Sequence, residues 1–135
     1  MSIVAIETAL EERLQTLATP PPIAWEDMAF EPTSGQGYLR VHHLHDHPRD
    51  LFIEGGPAEL PGIFQVDGVW PAGQGKVEAK LVAERVAALF APVQSLDAGN
   101  HRIERAQTPA IAGGMPDEGW YTVPVSIMWR AFPSV

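Results

Sequence analysis

The sequence predicts an α+β protein: a mostly antiparallel, mixed sheet of about four to five strands with two α-helices packed on one face. Two observations predict this class. A C-terminal segment alternates apolar and more polar residues, and two other segments repeat apolar residues every three or four positions. The 135 residues suit a single domain, 1–135, whose core is large enough to be stable without disulfides.

The C-terminal strand, residues 120–131, is the element on which we expect the rest of the chain to pack. Successive strand side chains point to opposite faces, so the odd-numbered residues from Tyr121 to Trp129, all aromatic or β-branched, are predicted to share a buried side. We expect it to be the longest strand. Pro124 has no N–H to donate, which requires an edge, a bulge or an outward orientation at that position.

Two amphipathic helices are predicted to cover that strand. The first runs from Ser2, a suitable N-cap, to about Leu17, and prolines at 20–22 end it. Its apolar stripe consists of Ile3, Ile6, Leu10, Leu14 and Leu17. The second runs from about Gly75 to Phe90. Its stripe consists of Val82, Val86 and Leu89, widened by Leu81 and Phe90.

The other strands are predicted at residues 23–25, 38–44, 62–70 and 101–106. The last of these is expected to form an antiparallel hairpin with the C-terminal strand. A long loop, residues 44–61, joins two of the strands, and a loop of this length inside a compact domain is usually either functional or disordered and mobile. Its centre, Leu51-Phe52-Ile53, is more apolar than a solvated loop requires.

Charge and composition exclude several classes of protein. Seventeen acidic and nine basic residues give a net charge of −8, whereas a nucleic-acid-binding protein is expected to present a basic surface. The absence of cysteine excludes disulfides and thiolate metal sites. Neither a signal-peptide pattern nor an apolar run approaching roughly 20 residues is present, so no membrane partner is expected.

Histidines cluster at the start of the long loop, in the segment His42–His47. On an extended chain, His43, His45 and His47 would place three imidazoles on one side, and imidazole is a common ligand of zinc, nickel and iron. An ordinary polar strand end is the competing interpretation, because Pro48 follows at once. A metal-binding protein or metal-dependent enzyme built on this cluster therefore stays open as an alternative.

No constellation for nucleophilic or acid–base catalysis stands out. The serines lack a neighbouring base, and the carboxylate pairs Glu11-Glu12 and Glu26-Asp27 suit solvated faces or turns. The turn Gly73–Lys76 lacks the complete phosphate-loop pattern. We therefore predict no catalytic residues, no cofactor and no enzymatic activity. A small-ligand-binding α+β module, with a pocket beneath the long loop, is a further alternative.

Several segments, taken in order along the chain, resemble one known family. They are Pro22-Ile23-Ala24-Trp25-Glu26, Phe30-Glu31-Pro32, Gly37-Tyr38-Leu39-Arg40-Val41, Gly62-Ile63-Phe64-Gln65-Val66-Asp67, Gly73-Gln74-Gly75, the helix from Ala83 to Phe90, and the stretch from Gly119 to Ile127. The chain resembles the phage tail terminator-like proteins, the family of minor tail protein U in long-tailed phages and prophages. The resemblance rests on collinearity over nearly the whole chain, and the histidine-containing loop does not take part in it.

The resemblance implies a structural protein of the virion tail that assembles in the host bacterial cytoplasm. Such proteins cap the tail tube as a ring, usually a hexamer, end tube polymerisation and form part of the head–tail joining surface. The implied partners are other copies of this chain, the tail tube protein and a head-completion or connector protein, while DNA only passes through the lumen. We expect Leu51, Phe52, Ile53 and Trp25 to lie at protein interfaces.

Overall fold

The computed structural model describes residues 3–50, 58–91 and 96–133, apart from the side chain of Asp117. The elements in chain order are α1 (Ile3–Gln15), β1 (Ile23–Ala24), β2 (Tyr38–His45), β3 (Arg49–Asp50), β4 (Ala58–Pro71), α2 (Val77–Phe90), β5 (Leu96–Ala98), β6 (His101–Arg105), β7 (Ala110–Ile111), β8 (Met115–Asp117) and β9 (Trp120–Pro133). Within the described ranges, neither helix is long and apolar enough to cross a membrane.

The strands form a mixed sheet in the order β1-β2-β4-β9-β6-β5, with β3 beside β4 and both β7 and β8 beside β9. β1 runs parallel to β2, and the other pairs are antiparallel. The predicted antiparallel pairing of β6 with β9 is confirmed, but the two strands do not form a hairpin, because β7 and β8 lie between them in the chain and also pair with β9. β9 is central, but it is not longer than every other strand as predicted, because β4 and β9 both have 14 residues.

The expectation of four to five strands is wrong, because the sheet also contains β3, β5, β7 and β8. Each of these strands has only two or three residues. A segment that short has no detectable period of side-chain alternation. It is a strand only because a longer neighbour supplies the hydrogen-bonding partner, which a local sequence pattern does not reveal.

One side of the sheet, the core face, carries the odd-numbered residues of β2 and β9 and the even-numbered residues of β4. The predicted buried side of β9 is confirmed: Val123, Val125, Ile127 and Trp129 join one core cluster, and Tyr121 packs against it. Both helices contribute to the same cluster, chiefly through Ile6, Leu10, Leu14, Val82, Val86 and Phe90. Two helices on a mixed sheet are therefore present as predicted.

Two members of the predicted helical stripes do not reach the core. Leu81 on α2 is 52% exposed, and Ile3 at the start of α1 is also exposed. Ala79 and Ala83 take the place predicted for Leu81, because their small side chains let α2 lie close to the sheet. Leu81 thus leaves an apolar surface on α2 that none of the described residues covers.

Pro124 lies inside β9 without interrupting its hydrogen bonding, because its missing N–H faces a gap between the two short strands β7 and β8. Its carbonyl accepts a hydrogen bond of 2.9 Å from the N–H of Ala112, on the side where β7 and β8 lie. In an antiparallel ladder the N–H and C=O of one residue point the same way, so the missing donor also faces that side. On that side β7 ends at Ile111 and β8 begins at Met115, so no strand residue there requires a donor from Pro124.

We predict that Gly62→Ala destabilises the protein by about 2 kcal/mol or more. A Cβ at Gly62 would lie 2.4 Å from the Trp129 ring and 2.8 Å from the Leu44 carbonyl oxygen, and forcing apart a packed core costs roughly 1–3 kcal/mol. The matched control is Gly113→Ala, whose added Cβ would meet no atom within 4 Å. The free energy of unfolding in urea measures both variants, and equal values for the two would contradict this packing.

Candidate functional site

Among the described residues, the sheet side opposite the helices, which we call the open face, is covered at one end and uncovered at the other. It carries the even-numbered residues of β2 and β9 and the odd-numbered residues of β4. At the covered end, the ring of Phe30 lies 4.8 Å from that of Tyr38, which in turn lies 5.6 Å from the ring of Trp120. These contacts hold the arm before β2 against the sheet. The other end has no such cover from the described residues.

At the uncovered end, three apolar side chains stand side by side across three strands. The register pairs Leu44 with Ile63 and Ile63 with Met128. Leu44 is 51% exposed and Met128 36% exposed. We call Leu44, Ile63 and Met128 the apolar row. With Pro61 and Ala106 it lines a groove of about 360 Å³.

Charged groups border the apolar row on both sides. Toward the covered end, Arg40 pairs with the buried Asp67 at 3.2 Å. Toward the end of β9, the Arg130 guanidinium lies 3.7 Å from Glu104. An apolar centre surrounded by polar and charged groups is the usual composition of a protein–protein contact.

A second apolar surface lies on the far side of the molecule, on the outward side of α2. Val77 and Leu81, one helical turn apart, are 63% and 52% exposed. The neighbouring strand β7, which contacts α2, exposes Ile111. We call Val77, Leu81 and Ile111 the helix patch. Because α2 packs on the core face, the helix patch and the apolar row point in opposite directions.

The predicted interface residues fall into two groups, one outside and one inside the described part of the chain. Leu51, Phe52 and Ile53 lie outside the described residues, although the strands on either side of them, β3 and β4, are paired. Trp25 is half-buried and packs against the core cluster. Its position in the chain, directly after β1, makes it part of the anchorage of the arm.

The histidines predicted as an alternative metal site divide between two environments. His43 and His45 lie on the core face and meet two glutamates of α1. The Nε2 atom of His43 lies 2.7 Å from Oε2 of Glu11, and that of His45 lies 2.6 Å from Oε2 of Glu7. We call Glu7, Glu11, His43 and His45 the His–Glu ladder. His47 follows the end of β2, is exposed, and its backbone N–H donates to Asp46.

The ladder joins α1 to the edge of the sheet. Because a carboxylate oxygen only accepts, each imidazole donates through Nε2–H. The His43 side chain is 1% exposed and stacks on Phe64 at 4.8 Å, whereas the ring of His45 meets the edge of Trp129 at 5.7 Å. The Nδ1 atom of His43 is buried without a hydrogen-bond partner among the described residues.

The sequence did not indicate a role for Glu7 or for the apolar row, and it placed Glu11 on a solvated face or turn, whereas the Glu11 carboxylate meets the buried ring of His43. Glutamates at i and i+4 on a helix share a face, as do histidines at i and i+2 on a strand. That spacing was visible, but the pairing of α1 with β2 was not. For the apolar row, the available signal was three apolar residues on the sheet side predicted to be the more polar one.

Comparisons with known proteins find one matching family and similar solved structures. A family model described as phage tail terminator protein matches residues 5–129. A solved structure known only by a sequence identifier is similar with a TM-score of 0.79 at 27% identity, over 97% of this chain and 96% of that chain. Another, described as the virion of a native gene transfer agent particle, has a TM-score of 0.69 at 13% identity, over 97% of this chain and 99% of that chain. No curated protein matches.

We predict that Glu11→Ala lowers the free energy of unfolding by about 1–2 kcal/mol, because it leaves the buried Nε2–H of His43 without an acceptor. Glu12→Ala is the matched control: the residue type is the same, the position is adjacent on α1 and exposed, and the expected change is within about 0.5 kcal/mol. Urea denaturation followed by tryptophan fluorescence measures both. Equal losses in the two variants would show that the ladder contributes nothing to stability.

Proposed function

We propose that this chain, which belongs to the phage tail terminator family, caps the end of a phage tail tube as one subunit of a closed ring. The match over residues 5–129 covers nearly all of α1, the whole of α2 and most of the sheet, and it confirms the resemblance noted in the sequence. The protein then has a structural role in the virion tail. Its work is to stop tube growth and to present a surface for joining the head.

The observation that best supports a ring is the pair of unlike apolar surfaces on opposite sides of the subunit. A ring of identical subunits joined head to tail needs two different, complementary patches on each subunit. The apolar row and the helix patch meet this requirement: each contains large side chains that are exposed in the single chain. We propose that the apolar row of one subunit packs against the helix patch of the next, with six subunits closing the ring.

The other proposed contacts run along the tail axis. One rim of the ring would bind the tail tube protein, and the other would bind the head-completion or connector protein. Leu51, Phe52 and Ile53 stay proposed contact residues, together with Trp25. Assembly would take place in the host cytoplasm.

The charge of the chain suits a ring through which DNA passes. The formal net charge is −8, so the phosphate backbone is repelled overall. A ring with that charge would let DNA move through the lumen without binding it specifically. Nothing in this proposal requires a catalytic residue or a cofactor.

We predict that Met128→Asp produces overlong tails and prevents head joining, because a charge in the apolar row would be buried without a partner in the ring. Leu81→Asp in the helix patch should have the same effect. The measurement is tail length by electron microscopy after complementation of a deletion of the gene. Head-joined particles should fall at least about tenfold, as expected when an interface loses roughly 1.4 kcal/mol or more.

The matched control is Met28→Asp, which introduces the same charge at an exposed methionine outside both surfaces. It should give tails of normal length. Circular dichroism of the purified variants separates an assembly defect from misfolding. If folded Met128→Asp and Leu81→Asp still gave normal tails, these surfaces would not be the ring contacts.

A further inference from the structure

We propose that the His–Glu ladder binds one divalent transition-metal ion of the zinc class. The Nε2 atom of His43 and one carboxylate oxygen each from Glu7 and Glu11 all lie within 4.8 Å of one another. Nε2 of His45 lies 2.6 Å from Oε2 of Glu7 but outside this group of three, and it becomes the fourth ligand when its side chain turns toward the ion. The ladder thus gathers one imidazole and two carboxylates around a common point, with a second imidazole beside Glu7.

The chemistry of these ligands selects the metal. Imidazole nitrogen with carboxylate oxygen suits zinc, cobalt and nickel, whereas magnesium and calcium prefer sites built of oxygen alone. In a tetrahedral zinc site with metal–ligand distances of about 2.1 Å, neighbouring ligand atoms are roughly 3.4 Å apart. The hydrogen-bonded distances of 2.6 and 2.7 Å in the ladder need to open by less than about 1 Å, while the wider separations within the group of three, up to 4.8 Å, need to close by up to about 1.4 Å.

The positions of the ligands are fixed by regular structure. Glu7 and Glu11 are one turn apart on α1, so both point the same way. His43 and His45 are two residues apart on β2, on the side that faces α1. The packing of α1 against the sheet therefore brings the side chains of the ladder together before any ion binds, which lowers the entropic cost of binding.

The negative charges of Glu7 and Glu11 favour the binding of a cation at the ladder. In the ion pairs of residues 3–50, 58–91 and 96–133, neither glutamate meets a lysine or an arginine. Among the described residues, these two neighbouring carboxylates thus meet imidazoles and no permanently charged cation. Both are about 30% exposed, at 28% and 30%, which gives an ion access from solvent.

One feature of His43 limits the affinity. Coordination through Nε2 transfers the ring proton to Nδ1, which is buried without an acceptor among the described residues. Metal-ligating histidines usually donate that proton to a carboxylate, a carbonyl or water, and loss of such a partner costs about 10–100-fold in affinity. We therefore expect a dissociation constant on the order of micromolar, well above that of a structural zinc site.

The test is titration of the full chain at pH 7 with Zn²⁺ by calorimetry and with Co²⁺ by visible absorption. We expect one ion per chain, a micromolar dissociation constant and an absorption band typical of tetrahedral cobalt. Glu7→Gln and His45→Gln should each weaken binding about 10–100-fold, because each removes a ligand at a partly exposed position where folding tolerates the change.

His47→Gln and Glu12→Gln are the matched controls and should bind as the unmodified chain does. Binding no tighter than millimolar would overturn the proposal. An equal loss on His47→Gln would also overturn it, because the ion would then sit on the exposed histidines at the end of β2. Melting curves of every variant without metal confirm that each is folded. The result is independent of ring formation, since it is measured on the free chain.

Discussion

The backbone pairing of β4 with β9 is the constraint on which the rest of this molecule depends. These two 14-residue strands pair from Leu60–Ala131 to Pro71–Trp120, and every other strand except β1 and β5 attaches directly to one of them. Side chains alternate along a strand, so fixing this register decides which residues face the helices and which do not. A shift of one position would expose Val125 and Trp129 and bury Met128 and Arg130.

The same register creates the surfaces to which we assign function. It places the partly buried Ile63 between the exposed side chains of Leu44 and Met128, so that one apolar side chain from each of three strands forms a continuous row. On the other side of β2, the same alternation turns His43 and His45 toward α1, where the glutamates lie. The proposed ring contact and the proposed metal site are thus opposite faces of one strand. Neither depends on the chemistry of the other.

The sequence predicted the long elements well, because each has a period that its own residues display. The alternation in β9 and the stripe of α1 led directly to the core. The short strands had no period to detect, and Leu81 was wrongly placed in the core because a helical stripe does not show how wide the contact with the sheet is. The His–Glu ladder depends on two segments more than 30 residues apart along the chain. Only the packing of α1 brings them together, so local spacing suggested a different set of three histidines.

The central claim is that the apolar row of one subunit meets the helix patch of the next in a ring on the tail tube. The chain has no cysteine, so a single pair can be introduced without competition. We would measure oxidative cross-linking of the double variant Met128→Cys and Leu81→Cys in purified tails, by non-reducing electrophoresis. The account predicts a ladder of linked subunits ending at six, which forms in tails and is absent from the free chain. Tails of normal length that contain only unlinked subunits would contradict it.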